Sequence, residues 1–286
     1  MANNVMLGFP NRIDAATLSG GSWQASLPLT NLKNRTLGKV ARSADALAAS
    51  TKFDLDLGAE KNIRLLSLIN HNLSLDATVQ IKASATADFA VLLYDSGTVD
   101  VWPAMYNTLD LDWEDDNWWD GKYTDEQRNG YTWTFVQLLT SRILARYWRV
   151  EIADTTNASG YVQIGRVFIG PAWQPAINMS YGASLGWETD TQEQRARSGA
   201  LYFDSRTPRR TVRFSLQNML VNEALAFAFE IQRRAGLDAE VLYIFDPADP
   251  MHAIRRRFLG RLRELSPIEY PYYARQQTNF QIEELL

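Results

Sequence analysis

The first 175 residues alternate apolar and polar positions in short runs, which is the pattern of β-strands. In the run KFDLDLG, at residues 52–58, Phe53, Leu55 and Leu57 face one way and the polar side chains between them face the other. The run IRLLSLIN is continuously apolar, as in a strand buried on both faces. Three further strand-like runs follow: TVQIKAS, YWRVEIA and YVQIGRVFIG. Short strands with turn signals, and no long amphipathic helix, predict an antiparallel β-sandwich.

Beyond residue 175 the pattern changes to strand, strand, helix, strand, strand. The segment GPAWQPAINMS, with two prolines and a glycine, separates the two patterns, so the sequence predicts domains of 1–175 and 176–286. One amphipathic helix is predicted near 219–235. Its apolar stripe consists of Leu220, Ala224, Phe227 and Ile231. Asn218 is the expected N-cap residue, and Gly236 is the expected end of the helix. The whole chain is therefore expected to be mainly β.

Several runs of the first region resemble the discoidin-like, galactose-binding-like domains. The early FDLDLG and IRLLSLINHNLS, and the late ARYWRVEIADTTNASGYVQIGRVFIG, are similar to strands at the start and end of that family's jelly roll. The likeness covers roughly residues 20–170. It implies an N-terminal jelly-roll sandwich, and it makes a glycan one expected ligand, because domains of this kind often bind glycans through their loops.

Residues 178–286 resemble the phage distal tail and baseplate proteins. The strand RRTVRFSLQ, one helix, the strand VLYIFDP and the terminal FQIEELL follow the order of elements in that family. The resemblance implies a tail-tube-like β-sandwich or barrel with one helix that assembles into a ring, expected to be a hexamer. It also implies neighbouring tail tube, tip and fibre proteins as partners, the virion tail as location and the host cytoplasm as the place of synthesis. The discoidin-like domain comes first here, which departs from that family's order.

Composition excludes several kinds of chemistry. The chain has no cysteine and only two histidines, 181 positions apart, which excludes a thiolate nucleophile and a histidine zinc site. It also lacks the glycine-rich phosphate loops and the GxSxG motif. A net charge of −4 argues against nucleic-acid recognition, and no apolar run reaches the roughly 20 residues that span a bilayer. We predict no catalytic residue and no enzymatic activity.

Lysine and arginine are unevenly distributed along the chain. All six lysines precede residue 123, whereas residues 176–286 contain fourteen arginines and no lysine. Arginine is preferred in desolvated contacts with several hydrogen bonds, and lysine is depleted in interfaces. Codon or lineage bias explains the pattern equally well. If the arginines mark a contact between copies in a ring, the candidate residues are Arg255, Arg256, Arg257, Glu264 and Glu269.

An acidic and aromatic stretch occupies residues 109–133. From Asp110 to Glu126 there are eight acidic residues and one lysine, so this part carries −7 and the rest of the chain, −4 minus −7, carries +3. Exposed tryptophans rimmed by charge are typical of docking surfaces. A glycan platform and a clamp that fastens the insertion to the sandwich are the alternatives. The candidate docking or glycan contacts are Trp113, Asn117, Trp118, Trp119, Asp120 and Tyr123.

A metal or catalytic role for this stretch has less support. An EF-hand loop that begins at Asp116 would place Trp118 and Gln127 at ligand positions, so that motif is absent. Glycosidases need two carboxyl groups at defined separations, and abundant carboxylates do not supply that arrangement. No cofactor is predicted. A structural calcium ion remains an alternative, with candidate ligands Asp110, Asp112, Glu114 and Asp116 in the stretch, or Asp45 or Asp54 near the early loops.

These patterns lead to one main prediction and two alternatives. The main prediction is a non-enzymatic component of a phage tail tip or baseplate, a distal-tail-type protein whose ring continues the tail tube and braces neighbouring proteins. The first alternative is a carbohydrate-binding module that contacts glycan on the host surface. The second is an accessory domain of a hydrolase.

Overall fold

The computed structural model describes residues 4–106, 109 and 111–286. Strands account for 45% of the residues and helices for 13%. The strand pairs are antiparallel, and two large sheets and one separate hairpin contain them. The prediction of a mainly β chain with antiparallel sheets is therefore confirmed.

The elements follow the alternating runs of the sequence. The strands are β1 (Met6–Gly8), β2 (Thr17–Ser19), β3 (Ala41–Arg42), β4 (Phe53–His71), β5 (Thr78–Ser84), β6 (Leu92–Asp100), β7 (Thr134–Ala153), β8 (Gln163–Gly170), β9 (Ala172–Trp173), β10 (Ser184–Glu188), β11 (Gln192–Arg195), β12 (Leu201–Asp204), β13 (Arg209–Leu220), β14 (Glu240–Ile244), β15 (Arg257–Leu262), β16 (Glu269–Tyr272) and β17 (Arg275–Glu284). The helices are α1 (Ala48–Thr51), α2 (Asp125–Arg128), α3 (Val221–Glu223), α4 (Glu230–Ala235) and α5 (Ala253–Arg256), with a π-helical turn at Ala224–Phe229 and 3-10 turns at Ile13–Ala15 and Leu29–Lys33.

Two long strands build the first sandwich. Strands β4 and β7 pair along most of their length, and two register shifts bend the pair so that each strand belongs to two layers. One layer has the order β2-β4-β7-β5-β6 and the other β3-β8-β4-β7. Phe53 and Trp148 from the first layer meet Leu66 and Ile169 from the second in one buried core. This is the predicted antiparallel sandwich.

The second sheet has the strand order β10-β13-β17-β15-β14-β1-β9, and β16 is paired to β17. Strands β1 and β9 come from the range predicted for the first domain, yet both lie in this sheet, because β1 pairs with β14 on one side and with β9 on the other. Strands β11 and β12 form a separate two-stranded hairpin.

The two halves share a buried core. Met6 of β1 and Leu242 of β14 pack with Leu65 of β4 and Phe168 of β8, and all four side chains are buried. Apolar area buried in this way contributes roughly 25 cal/mol per Å². The halves are therefore joined by packing as well as by the chain.

A buried ion pair crosses the same junction. Arg166 of β8 is fully buried, and its Nη2 lies 2.6 Å from Glu240 Oε1 of β14 and 2.6 Å from Asp14 Oδ1. A second acceptor matters here, because an arginine this deep needs more than one partner to offset its desolvation. Glu240 thus ties β8 to β14, and Asp14 ties β8 to the 3-10 turn at Ile13–Ala15.

The helical region buries two residues of the predicted stripe, Ala224 and Ile231, but leaves Leu220 and Phe227 partly exposed. Ala224, Ala228, Ile231 and Ala235 pack on the second sheet, whereas Phe227 is 38% exposed. Ala228 takes the place that was predicted for Phe227.

The ends of the helical region agree only in part with the prediction. Asn218 is not the N-cap: it lies inside β13 with a φ of 59°, at the register shift between Leu216 and Met219. Helix α3 instead follows Leu220, which has no capping side-chain hydrogen bond. Gly236 ends the region with a φ of 54°, as predicted.

Within the described residues, no helix is both long enough and apolar enough to cross a membrane.

Candidate functional site

The acidic-aromatic stretch connects β6 to β7 and is fastened at its base by aromatic side chains. Trp102, which precedes the stretch, and Trp133, its last residue, meet edge to face with ring centroids 5.5 Å apart. The ring of His71, the last residue of β4, lies 5.8 Å from that of Trp102 and 6.2 Å from that of Trp133. The two ends of the stretch are thereby held together on the sandwich.

His71 is a packing residue in this cluster. It is buried, and burial together with the nearby charge of Arg128 lowers its pKa to about 3, so the imidazole is neutral. Its Nδ1 accepts the backbone N–H of Leu73 at 3.3 Å. A neutral, buried acceptor of this kind serves the structure.

Arg128 fills the space between the two tryptophans. Its guanidinium lies 5.3 Å from the ring centroid of Trp102 and 4.8 Å from that of Trp133, and it also pairs with Asp125. The Nε1 of Trp133 donates to the Arg128 carbonyl at 3.0 Å. Cation–π contacts of this kind gain strength when they are desolvated. Arg128 is thus a supporting group of the stretch.

Two of the six predicted contact residues, Tyr123 and Asn117, support the stretch from within. Tyr123 is 1% exposed and donates its hydroxyl to the Met251 carbonyl at 2.5 Å; burial raises its pKa. Asn117 is also buried and donates Nδ2 to the Lys122 carbonyl at 2.6 Å. Both side chains therefore make their hydrogen bonds within the chain, and little of either is exposed to solvent.

Gly121 makes the turn that brings these two residues inward. It has a φ of 61°, and a Cβ at this position would lie 2.4 Å from the Tyr106 carbonyl oxygen. The turn packs against the backbone of Tyr106, whose N–H donates to the Gly121 carbonyl at 3.0 Å. Only glycine fits both the conformation and the space.

The other predicted contacts face outward. Trp113 is 77% exposed and Trp119 is 86% exposed, while Trp118 is half-buried and meets Trp119 edge to face at 4.6 Å. Asp120 is exposed, and its Oδ1 accepts the backbone N–H of Lys122 at 3.0 Å. The stretch thus has an inner face that is fixed to the sandwich and an outer face that presents indoles and carboxylates. We name residues 111–127 the acidic segment.

A depression of about 530 Å³ lies beside this outer face. Its charged and amide-bearing lining residues are Asp115, Asp116, Asn117, Asp120, Asp125, Glu126 and Gln127. Carboxylate and amide oxygens accept hydrogen bonds from hydroxyl groups. The depression can therefore hold a hydroxyl-bearing group, and its negative charge disfavours an anionic one.

The structure forms no calcium site from the candidate ligands that it describes. Among the residues that the structure describes, no group of three or more His, Asp or Glu side chains is arranged to hold a metal ion. Asp54 makes a two-armed pair with Arg149, at 2.7 and 2.9 Å, and Asp45 accepts the backbone N–H of Leu47 at 2.9 Å. Asp112 N donates to Asp115 in the acidic segment. Asp110 lies outside the described residues.

The candidate ring contacts lie in two different settings. Arg257 is half-buried and donates to the carbonyl of Asp249, at 3.0 Å, and Arg256 pairs with Asp249 at 3.3 Å, so both order the chain between β14 and α5. Arg255 is half-buried on α5. Glu264 and Glu269 are exposed, and Glu269 accepts the Nε2 of Gln277 at 2.5 Å. A contact between copies stays a prediction for these five residues.

The cluster of side chains that supports the acidic stretch was not predicted from the sequence. Trp102, Trp133 and Arg128 lie up to 31 positions apart, and His71 comes from another strand. The sequence does contain one indication of this cluster. Trp102 closely follows β6, and Trp133 directly precedes β7. Paired aromatics at both ends of an insertion indicate closure of that insertion.

Comparisons with known proteins give structural likeness only. No protein-family model matches the chain, and no curated protein matches it. A CBM32 module from a family 31 glycoside hydrolase of Clostridium perfringens aligns with 57% of this chain and 99% of its own, at 10% identity and a TM-score of 0.38. The family 32 module of NanJ from C. perfringens, solved in complex with galactose, aligns with 58% of this chain and 99% of its own, at 11% identity and a TM-score of 0.38.

The lectin domain of lectinolysin, solved in complex with Lewis B antigen, aligns with 59% of this chain and 99% of its own, at 13% identity and a TM-score of 0.37. These ligands belong to those proteins. At TM-scores below 0.5, the likeness does not decide what this chain binds.

Proposed function

We propose that this chain is a non-catalytic saccharide-binding protein and that its contact surface is the outer face of the acidic segment. The observation that carries the proposal is the pair of exposed indoles, Trp113 and Trp119, on a segment whose inner face is fixed by buried aromatic contacts. Two large apolar side chains left in water at one place indicate a ligand surface.

The chemistry of the outer face suits a sugar. An indole ring can stack on the apolar C–H face of a pyranose, and the neighbouring carboxylate of Asp120 can accept hydrogen bonds from hydroxyl groups. Because Tyr123 and Trp102 already fix the segment, little ordering remains to be done on binding, which favours affinity. The segment is strongly acidic, so the saccharide should be neutral or carry an amine.

A glycan array probed with the full chain tests the proposal. Galactose and Lewis b structures are useful first probes. We expect Trp119→Ala and Trp113→Ala each to weaken binding of a hit glycan by about tenfold or more, without changing the melting temperature. Tyr273→Ala is the matched control, because Tyr273 is a fully exposed aromatic residue in the second half of the chain.

Two results would contradict the proposal. One is a folded wild-type chain that binds no glycan on a broad array. The other is a glycan whose binding is unchanged in the Trp113→Ala, Trp119→Ala double variant.

A second candidate function, a subunit of a ring-forming assembly such as a phage tail tip, is favoured by a different observation. The hairpin β11–β12 presents Leu201, Tyr202 and Phe203 consecutively to solvent, so both of its faces are exposed. Contiguous exposed apolar side chains of this kind mark protein contacts. Tyr202→Ser with Phe203→Ser should weaken self-association in sedimentation velocity; a wild-type chain that sediments only as a monomer would contradict this candidate.

A further inference from the structure

A groove of about 840 Å³ lies between the two halves of the chain, away from the acidic segment. Its apolar wall includes Leu220, Val221 and Phe227 from the end of β13 and the helical region. The ring of Phe227 stacks parallel on Trp173 of β9, with centroids 5.7 Å apart and an interplanar angle of 5°. The groove is far larger than an inorganic ion and is built to hold apolar groups.

Arginines line one side of this groove and continue beyond it. Arg64 of β4 and Arg142 of β7 line the groove, and Arg142 also lines an adjoining depression with Arg12 and Arg234. Burial lowers the pKa of Arg64, and the charge of Arg142 lowers it further. Burial and the charge of Arg234 likewise lower the pKa of Arg12. Like charges have thus been brought together around the Trp173–Phe227 stack.

The nearby carboxylates are committed to other partners. Glu223 accepts the backbone N–H of Ala176 at 2.9 Å and the Nε1 of Trp173 at 3.4 Å. Glu230 pairs with Arg233 at 2.7 Å. In the described part of the chain, no carboxylate forms an ion pair with Arg12 or Arg142, and the buried Nε of Arg12 has no hydrogen-bond partner.

An apolar wall beside several arginines selects a ligand that combines aromatic or aliphatic groups with carboxylates. The acidic segment has this chemistry, because residues 112–120 carry five acids and no basic residue, and Trp113 and Trp119 are exposed among them. Opposite charge on the two surfaces would steer association, and buried indoles would supply affinity.

The acidic segment of the same copy is fixed at the wrong place to enter this groove. Lys122 donates Nζ to the carbonyl of Leu75 at 2.7 Å, just beyond the end of β4. Arg64 lies seven residues before that end at His71, which is about 23 Å along the strand. The segment that fits the groove therefore comes from another molecule.

We infer that the groove lined by Arg64, Arg142 and Phe227 binds the acidic segment of a second copy of this chain. The two contacting surfaces are different, so the association is head-to-tail and leads to a closed ring or an open chain of copies. It goes beyond saccharide binding and would compete with it, since Trp113 and Trp119 cannot lie in the groove and stack on a sugar at the same time.

Sedimentation velocity of the full chain at low ionic strength tests the inference. The wild type should sediment as species larger than a dimer, and added salt should dissociate them. Arg64→Glu with Arg142→Glu should weaken association by about tenfold or more. Arg142→Glu alone should weaken it in the same direction, and this variant protects the test against misfolding because Arg142 is exposed.

A charge swap provides the specific readout. Glu114→Lys with Asp116→Lys should also weaken association, and combining these changes with the arginine reversals should restore it. Lys39→Glu with Lys52→Glu is the control, because both lysines are exposed, lie outside the groove and change the net charge by the same amount as the arginine reversals. This control should associate like the wild type.

Three outcomes would overturn the inference: a wild type that stays monomeric, a folded Arg142→Glu variant that associates like the wild type, or a charge swap without recovery. Saccharide binding by monomeric groove variants is measured separately on the array. A failure of docking therefore leaves the saccharide proposal standing, and a failure on the array leaves docking standing.

Discussion

At the scale of single residues, the acidic segment shows what a sequence pattern can and cannot supply. Trp113, Trp119 and Asp120 are exposed, as a contact surface needs, and their residue types alone suggested that role. Tyr123 and Asn117 have equally suitable types but are buried. The partner of Tyr123 is the carbonyl of Met251, 128 positions away, and no local pattern reports a contact across that distance.

His71 gives a prediction on pH. Its pKa is about 3 in the folded chain, against an ordinary value of 6.5, so between these values the unfolded state binds the extra proton. The contribution of His71 to the free energy of unfolding is therefore fully present above pH 6.5 and is lost as the pH falls toward 3. The free energy of unfolding changes by up to about 1.4 kcal/mol per pH unit in this range. Urea unfolding at a series of pH values should show a smaller acid loss in His71→Asn than in the wild type.

The carboxylates of the chain also titrate in this range, so the informative quantity is the difference between the two proteins. Asparagine retains an acceptor for the Leu73 N–H, which makes it the conservative replacement. Identical slopes in wild type and His71→Asn would mean that this imidazole is protonated in the folded chain.

At the scale of elements, the sequence located most strands but not their continuity or their layers. The runs KFDLDLG and IRLLSLIN read as two strands, whereas both belong to the 19-residue β4. The mostly polar residues 58–62 between them suggest the end of one strand and the start of another. The local sequence does not show that β7 continues to pair with β4 through this region with a shifted register. In the helical region the stripe was correct at Ala224 and Ile231, but Ala228 rather than Phe227 faces the sheet, and helical spacing alone fits either residue.

The inner face of the acidic segment yields a prediction on stability. Replacing residues 112–128 with a short Gly-Ser link removes Tyr123 and Arg128 and uncovers Trp102, so we expect a loss of about 3–5 kcal/mol in the free energy of unfolding. Replacing only residues 112–116, which lie on the outer face, should change it by less than about 0.5 kcal/mol. Urea unfolding measures both; equal stability of the two variants would show that the segment is not fastened to the sandwich.

At the scale of the whole molecule, the chain is two β-sheet units joined by a common core. The sequence suggested two units from the prolines near residue 175, but it gave no sign that β1 crosses into the second sheet. Strand β1 is only three residues long and has its partners at β14 and β9, so its pairing depends on contacts far along the chain. A strand of only three residues is too short to show a hydrophobic period in the sequence.

The common core predicts cooperative unfolding. Because Met6, Phe168 and Leu242 pack together and Arg166 bonds Glu240 across the junction, calorimetry should show one transition for the full chain. Glu240→Ala should lower its midpoint strongly, since it leaves a fully buried guanidinium with one partner fewer, at a cost of about 3–5 kcal/mol. Two separate transitions in the wild type would contradict this description of the junction.

Saccharide binding by the outer face of the acidic segment can be followed residue by residue through the indole N–H signals in ¹⁵N-resolved NMR during titration with a glycan. We expect the signals of Trp113 and Trp119 to shift in a saturable way. The signals of Trp102, whose Nε1 donates to the Leu73 carbonyl, and of the buried Trp148 should stay in place. Binding that shifts other signals and leaves those of Trp113 and Trp119 unchanged would contradict it.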